Sequence, residues 1–389
     1  MTKKRRCVAI LLLFSLLLSC LVLPVNAQST EAPPRPNAQA AVLIESESGD
    51  VIMELNASSR LPMASTTKIM TALVALELSS PDTVLTVDAA AVGAEGSSVY
   101  LSAGEKLTLE QLLYALLLES ANDAALAIAI GLCGSVEDFS ARMNRKATEL
   151  GLTDTHFVNP HGLDDEAHYT TAYELAVIAQ AALKNPMFAT IVSTRRATIP
   201  HGELDEGRLL INHNKLLRTY GDCIGVKTGY TTRSGRCLVS AATRDGVTLI
   251  AVTLNASNDW QAHADMLDYG FSRYRSVMLA DADSYRSRLS VVGGERDFVT
   301  LSNEESLSVT LPVGYGSIRT VLEAPRFLYA PTKAGEIVGR ALFYCDTDGD
   351  GQEEIIGELP LITCEAVVPI EKQNGFFALW RWICGLFGR

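Results

Sequence analysis

The sequence predicts an α+β protein, in which an antiparallel sheet is flanked by helices, with a helical lobe beside it and a small β-rich domain at the C-terminus. Strand-like runs open the larger, N-terminal part of the chain and recur around Lys227. An Ala- and Leu-rich helical section from about residue 66 to 185 lies between them. Beyond about residue 276 only short β-like runs remain, separated by Gly and Pro turns. With 389 residues, of which 48% are hydrophobic, the chain is long enough for more than one domain.

The N-terminus predicts export. Basic residues Lys3–Arg6 precede an apolar run, Val8–Leu23, and the small residues ending at Ala27 suit a cleavage site. Residues 1–27 are therefore expected to be a signal peptide. Residues 28–38, with three prolines, are expected to be a flexible lead-in.

The catalytic part is expected to span residues 39–275. Its expected strands are Ala41–Ile44, Val51–Glu54, a run from Ile224, Cys237–Ala242 and Val247–Leu254. Its expected helices include Thr108–Leu118, Asp123–Leu132 and a closing helix from Asp259 to about Tyr274. Thr108 and Gln111 have the spacing of a capping box, which predicts where the first of these helices begins.

The β-rich part is expected to span residues 276–370, with strands at Ser306–Leu311, Ile318–Leu322, Gly339–Tyr344 and Glu354–Leu361. Its loop of Asp346, Asp348, Asp350 and Gly351 matches the start of a calcium loop. The twelfth position of that pattern is a glycine, and strands flank the loop. A solvated hairpin turn is the preferred interpretation; calcium, with Glu354 as a further ligand, is the alternative.

Composition excludes several classes of function. Removing the signal peptide leaves 29 basic residues against 45 acidic ones, a net charge of −16, which disfavours nucleic-acid binding. The six histidines have no zinc-site spacing, so neither a metal nor a cofactor is predicted.

Six cysteines remain after cleavage, and an exported protein with an even number invites disulfides. The two obvious hairpin pairs fail on register, however. A turn centred near Arg233 places Cys237 opposite Gly229 rather than Cys223, and a turn near Asp350 keeps Cys345 away from Cys364. No disulfide is predicted.

The strongest chemical signal is the segment Ser65-Thr66-Thr67-Lys68, where a polar approach meets an apolar helical run. A serine followed three residues later by a lysine puts a hydroxyl and an amine on one helix face. An uncharged lysine can then take the serine proton during attack on a carbonyl, and the helix N-terminus offers N–H groups to an oxyanion. Alone, the pattern is a weak signal, and a solvated helix start is then the preferred interpretation.

Two further motifs follow in order. Ser120-Ala121-Asn122 lies at a break between two apolar helical segments, and Lys227-Thr228-Gly229 ends a strand-like run. Taken singly, they are interpreted as a helix corner and as an edge strand with a surface lysine. Their joint occurrence with Ser65 and Lys68 makes chance the minor explanation.

These motifs resemble those of the penicillin-binding proteins and serine β-lactamases. The surrounding segments Ala64–Ala72, Gly96–Leu101, Glu119–Ala125, Asn159–Leu163 and Lys227–Thr231 are similar to the serine D-alanyl-D-alanine carboxypeptidases of low molecular mass. The resemblance covers residues 38–275 strongly and continues more weakly to the C-terminus. It implies a penicillin-binding protein/β-lactamase-like domain followed by the family's β-rich module.

The resemblance implies a role for each catalytic residue. Ser65 would be the nucleophile that forms an acyl-enzyme with cell-wall stem peptides ending in D-Ala-D-Ala. Lys68 would be its general base, with a pKa lowered by burial and by Lys227. Ser120 would relay the proton to the departing D-alanine, and β-lactam antibiotics would acylate the same serine.

It also implies the substrate-binding residues. Asn122 would hold the substrate backbone and orient Lys68, whereas Lys227 and Thr228 would bind the terminal carboxylate. Gly229 would let the substrate lie against the strand. The N–H groups of Ser65 and Tyr230 would stabilise the oxyanion.

The C-terminal segment, residues 371–389, predicts an amphipathic membrane anchor that holds the enzyme on the outer face of the cytoplasmic membrane. On a helix its apolar face would comprise Phe376, Phe377, Leu379, Trp380, Ile383, Leu386 and Phe387. The stretch from Gly375 is too short to span a bilayer, which takes about 20 residues. Its two Trp and two Arg suit the interface, as in anchors of the family. Docking on the protein itself is the alternative.

Two other functions stay open at this stage. A serine β-lactamase would share the nucleophile, but the Glu-x-x-Leu-Asn pattern of the class A enzymes is missing and the second domain has no role there. A catalytically silent cell-wall-binding protein would not need Ser65, Lys68, Ser120 and Lys227 together.

Overall fold

The structure is a computed structural model that describes residues 32–202 and 204–370. The expected signal peptide, the first residues of the lead-in and the expected anchor, residues 371–389, lie outside the described residues.

Eight α-helices and seventeen strands are defined within the described residues. The helices are α1 Lys68–Leu78, α2 Leu109–Leu118, α3 Asn122–Cys133, α4 Val136–Glu149, α5 Ala172–Leu183, α6 Pro186–Ser193, α7 Leu216–Thr219 and α8 Asp259–Arg273. Strands β1–β9 are Ala38–Glu45, Val51–Leu55, Val84–Thr86, Lys106–Thr108, Arg196–His201, Leu204–Ile211, Cys223–Thr231, Gly235–Arg244 and Val247–Ala256. Strands β10–β17 are Tyr274–Ala280, Ser287–Val292, Phe298–Ser302, Leu307–Pro312, Arg319–Glu323, Phe327–Tyr329, Ile337–Cys345 and Glu354–Thr363.

A five-stranded antiparallel sheet in the order β2-β1-β9-β8-β7 lies at the centre of the catalytic part. Because side chains alternate along a strand, β1 serves two cores. Val42 and Ile44 pack in the core that contains the helices α1–α6, whereas Leu43 packs with Met266 and Leu267 of α8. β7 is an edge strand, and the helical lobe lies beside it.

The predicted α+β class is confirmed, and so are the opening hairpin, the strands around Lys227 and the helix that closes the sheet. The capping box is present: Thr108 Oγ1 accepts the Gln111 N–H, and the Gln111 side chain accepts the Thr108 N–H at 2.9 Å. Such a cap stabilises a helix by about 1 kcal/mol.

The expected continuous helical section is wrong in two places. The short strand pair β3–β4 interrupts it. These strands were not predicted because three residues are too few to show a strand periodicity. A mostly irregular stretch from residue 150 to 171 separates α4 from α5. The hairpin β5–β6 was also not expected.

The β-rich part contains a six-stranded sheet in the order β14-β16-β17-β12-β11-β15, in which β11 and β15 run parallel. All four expected strands are present with small shifts, as β13, β14, β16 and β17. The strands β10, β11, β12 and β15 were not predicted. The expected boundary near residue 276 falls inside β10, which pairs with β13.

Within residues 32–202 and 204–370, no single helix is long and apolar enough to cross a membrane. Two pairs of consecutive helices, bent by 88° and 107°, reach that length only when each pair is counted together. The cysteine register follows the prediction: Cys237 pairs with Gly229, and Cys345 pairs with Glu354.

The acidic loop between β16 and β17 forms a tight turn. Both carboxylate oxygens of Asp346 accept backbone N–H groups, from Gly349 at 2.7 Å and from Gly351 at 3.0 Å. Carboxylate oxygens of Asp346, Asp348 and Asp350 lie within 4.8 Å of one another. The hydrogen bonds agree with the hairpin-turn interpretation, in which aspartate stabilises the backbone.

Candidate active site

Ser65 and Lys68 meet at the start of α1. A 3₁₀ turn, Ala64–Thr67, precedes the helix and puts Lys68 Nζ 2.9 Å from Ser65 Oγ. Lys68 is completely buried, and Nζ also donates to Asn122 Oδ1 at 2.7 Å and to the His161 carbonyl at 2.6 Å. The amine therefore has one fixed orientation towards the serine hydroxyl.

The environment of Lys68 favours its uncharged form. Burial lowers the pKa of Lys68 well below its ordinary value, and the charge of Lys227 lowers it further, against a weaker opposing effect of Asp123. A neutral amine accepts a proton, so this arrangement can activate Ser65 as a nucleophile.

Ser120 and Asn122 lie at the corner between α2 and α3. Ser120 has φ of +60° and lines the cleft beside Ser65. Asn122 opens α3, its N–H donates to the Ser97 carbonyl at 2.7 Å, and its Nδ2 donates to the Glu95 carbonyl. With both amide ends engaged, Asn122 holds Lys68 on one side and the 95–97 backbone on the other.

Asp123 completes this corner. It is fully buried, and its carboxylate accepts the Ser98 hydroxyl at 2.6 Å and the N–H groups of Val99 and Leu101. The segment that follows Ser97 is thereby attached to the N-terminus of α3. The sequence predicted Asp123 only as a residue of the first turn of a helix.

The third motif lies on the edge strand β7. Gly229 faces the 3₁₀ turn that contains Ser65 so closely that a Cβ there would lie 3.1 Å from the Ser65 nitrogen. Lys227 is buried, which lowers its pKa to about 7, and its Nζ donates to the Thr228 carbonyl at 2.9 Å. Tyr230 is exposed at the mouth of the cleft.

A cleft of about 520 Å³ joins these groups. Of the eight residues named from the sequence, it is lined by Ser65, Ser120, Thr228, Gly229 and Tyr230. Lys68, Asn122 and Lys227 are buried beneath its surface. The structure therefore brings all eight residues together in one place: five line the cleft and three lie buried directly beneath it.

The segment Asn159–Leu163 supports Lys68 and the turn that contains Ser65. The Pro160 carbonyl accepts the Thr71 hydroxyl at 2.6 Å, and the next carbonyl holds Lys68. Gly162 has φ of +90°, and a Cβ there would lie 1.9 Å from the Ala64 carbonyl oxygen. Only glycine fits this close approach.

His168 connects the backbone just before this segment to the turn that contains Ser65. Its Nδ1 accepts the Val158 N–H at 3.1 Å, so Nε2 carries the proton and donates to Thr67 Oγ1 at 2.8 Å. The Thr67 hydroxyl in turn donates to the Ala64 carbonyl. Burial lowers the pKa of His168 to about 4, so it stays neutral at physiological pH.

One wall of the cleft, formed by β8 and by the starts of α7 and α8, carries cationic side chains. Arg236 makes a double hydrogen bond to the buried Asp259 carboxylate at 2.9–3.1 Å, and its guanidinium lies 5.5 Å from the Trp260 ring centroid. Lys215 and Arg218 also line the cleft. Sequence reasoning missed this wall because its residues come from three separate elements.

Comparison with known proteins gives a consistent result. Residues 26–258 match the profile of the peptidase S11 family, described as D-alanyl-D-alanine carboxypeptidase. The chain is 32% identical to the D-alanyl-D-alanine carboxypeptidase DacF of Bacillus subtilis over 90% of this chain and 89% of that protein. It is 31% identical to DacC of Escherichia coli, over 92% and 90%.

Solved structures agree in fold. A D-alanyl-D-alanine carboxypeptidase DacD from Francisella tularensis is similar with a TM-score of 0.62 at 27% identity, covering 90% of this chain and 98% of that one. Penicillin binding protein 5 of Haemophilus influenzae has a TM-score of 0.64 at 26% identity, covering 87% and 99%. The chain belongs to the D-alanyl-D-alanine carboxypeptidase family of serine hydrolases.

Proposed function

We propose that the protein removes the terminal D-alanine from peptidoglycan stem peptides, with Ser65 as the nucleophile. Ser65 Oγ attacks the carbonyl carbon between the last two D-alanines, and the neutral Lys68 amine accepts the hydroxyl proton. The C–N bond then breaks, and Ser120 relays the proton held by Lys68 to the departing amine. Water hydrolyses the resulting ester and regenerates the serine.

One observation carries this proposal: a fully buried lysine with a lowered pKa lies 2.9 Å from a cleft-facing serine hydroxyl. That distance is within reach for direct proton transfer. The Gly229 backbone lies against the same turn, so the N–H groups of Ser65 and Tyr230 are our candidates for the oxyanion donors.

The direct test is to incubate the purified mature protein with a peptide ending in D-Ala-D-Ala and to measure released D-alanine. We expect turnover of this peptide and no turnover of the same peptide ending in L-Ala-L-Ala. Stoichiometric penicillin binding without D-alanine release would contradict the carboxypeptidase proposal.

Recognition of the terminal carboxylate is proposed to involve Lys227, Thr228 and Arg236. The pKa of Lys227 is lowered to about 7, so at neutral pH only part of the population carries its charge. The Asp259 carboxylate fixes the direction of the Arg236 guanidinium. A carboxylate at the β7 edge would then meet both cations.

Amidating the C-terminus of the substrate tests this recognition. Losing a charge-assisted contact costs about 1.5–3 kcal/mol, so kcat/KM is expected to fall about ten- to a hundredfold. Lys227→Ala should also slow acylation by penicillin, which carries an analogous carboxylate, whereas Lys215→Ala at the rim should have a smaller effect. Equal turnover of amide and free acid would favour an endopeptidase instead.

We further propose that the mature protein is exported and attached to the outer face of the cytoplasmic membrane by residues 371–389. Their composition supports this: aromatic and aliphatic side chains alternate with Arg381 and Arg389 at helical spacing. Such a helix lies in the headgroup region without crossing the bilayer.

Truncation after Gln373 tests the anchor. We expect the truncated protein to move from the membrane fraction to the soluble fraction while D-alanine release from soluble peptides stays unchanged. The anchor proposal would be refuted by a truncated protein that still sediments with membranes. It would also be refuted by a full-length mature protein that does not bind anionic vesicles.

A further inference from the structure

One edge of the six-stranded sheet exposes apolar side chains on its outer face. These are Val292 of β11, Phe298 of β12 and Phe327 and Tyr329 of β15, with exposed fractions of 48%, 41%, 44% and 70%. Together with Arg288, whose guanidinium lies 4.4 Å from the Phe298 ring centroid, we call them the aromatic edge patch. Such exposed apolar clusters mark interaction surfaces.

The strand register places these side chains on one face. Val292 is opposite Tyr329 and Ser290 is opposite Phe327 in the parallel pair, while Ser290 is opposite Phe298 in the antiparallel pair. Directly paired residues point to the same side of a sheet. The intervening side chains Leu289, Val291, Val299 and Leu328 point to the other side and form a buried core.

The chain leaves the described part of the protein beside this patch. Val367 bridges to Thr332, Pro369 bridges to Gly294, and the Ile370 N–H donates to the Gly293 carbonyl at 2.9 Å. Gly293 directly follows Val292. The expected anchor segment, residues 371–389, therefore begins at the edge strands that carry the patch.

We propose that the aromatic edge patch contacts the lipid headgroup region next to the anchor segment, and so sets the orientation of the enzyme on the membrane. The inference rests on the proposed anchoring. Tyr and Phe beside Arg are the side chains typical of a membrane interface. Arg288 and the exposed Arg326 add positive charge, whereas Glu295 and Asp297 at the β11–β12 turn oppose it.

Docking of residues 371–389 on the patch is the competing possibility, and area disfavours it. The segment contains eight large apolar side chains, five of them aromatic, and the five rings alone need roughly 1,000 Å² of apolar partner surface at 150–250 Å² per ring. Four partly exposed side chains offer roughly 400 Å². A bilayer can cover both the segment and the patch.

The test uses the full-length mature protein and vesicles of equal parts phosphatidylglycerol and phosphatidylethanolamine. Phe327→Ser combined with Tyr329→Ser should weaken vesicle binding roughly ten- to thirtyfold, because two half-exposed rings lose their burial in the interface. D-alanine release from a soluble peptide should stay unchanged.

The matched control combines Leu322→Ser with Ile337→Ser. These side chains are similarly exposed, at 52% and 68%, but lie on β14 and β16 at the opposite side of the same sheet. Strands β14 and β16 are five and four spacings from β15, about 24 Å and about 19 Å, so the control positions are expected to stay clear of the interface. Vesicle binding of this variant should equal that of the unchanged protein.

Each other result overturns the inference. If the patch variant binds vesicles more tightly, the substitutions have released a segment that was docked on the patch. If the patch variant binds normally while truncation after Gln373 abolishes binding, the anchor stands and the patch inference fails. If the truncated protein still binds as tightly as the full-length protein, the proposed anchor itself is wrong, and with it this inference.

Discussion

The Ser65→Ala variant is expected to release no measurable D-alanine and to lose covalent labelling by a fluorescent penicillin. Both reactions begin with attack by the same hydroxyl oxygen, and alanine has no atom that can form the ester. Lys68 keeps its contacts to Asn122 and to the His161 carbonyl, so thermal unfolding should change little.

Mass spectrometry of the unchanged protein after reaction with penicillin identifies the acylated residue. The adduct should be found on the peptide that contains Ser65. An adduct on Ser120, or continued labelling of the folded Ser65→Ala variant, would remove Ser65 from its role.

The Lys68→Met variant is expected to show the second largest effect. Methionine fills a similar volume but accepts no proton, and losing a general base costs about 10²–10⁴ in rate. We expect a loss of that size in the acylation rate, measured by stopped-flow with a chromogenic penicillin, with a smaller change in substrate binding.

The pH dependence separates a base from a structural lysine. In the unchanged protein acylation should rise with pH through the lowered pKa of Lys68, because only the uncharged amine accepts the serine proton. The Lys68→Met variant should lose this rise. Methionine leaves Asn122 Oδ1 and the His161 carbonyl without the donor that Lys68 supplies, so a modest loss of thermal stability should accompany the loss of rate. A full acylation rate in that variant would assign the proton to another group.

Much of the fold could be predicted from local patterns. The capping box at Thr108, the hairpin that opens the sheet and the strands around Lys227 all have signals within a few residues. Among the strands that were not expected, β3, β4 and β15 are only three residues long, and their pairing partners supply the stabilisation that their own sequences lack.

The supporting contacts of the site could not be predicted in this way. The His161 carbonyl that accepts a hydrogen bond from Lys68 belongs to the backbone, so the residue type at this position does not predict the contact. His168 lies 101 positions from Thr67, and the tautomer that joins them depends on a third residue, Val158. The Arg236–Asp259 pair likewise joins β8 to the start of α8.

The sequence alone determined the proposed chemistry: three short motifs contain the proposed nucleophile, the proposed base and the lysine proposed to bind the carboxylate, because each role needs a particular functional group at helical or strand spacing. Only the tertiary structure decided the protonation and the orientation of those groups. Burial and the proximity of two lysines lower the pKa of Lys68, and the close approach of Gly162 and Gly229 to residues 64–66 fixes where Ser65 points. Desolvation and distance are properties of the packed chain, since they arise between segments that lie far apart in sequence.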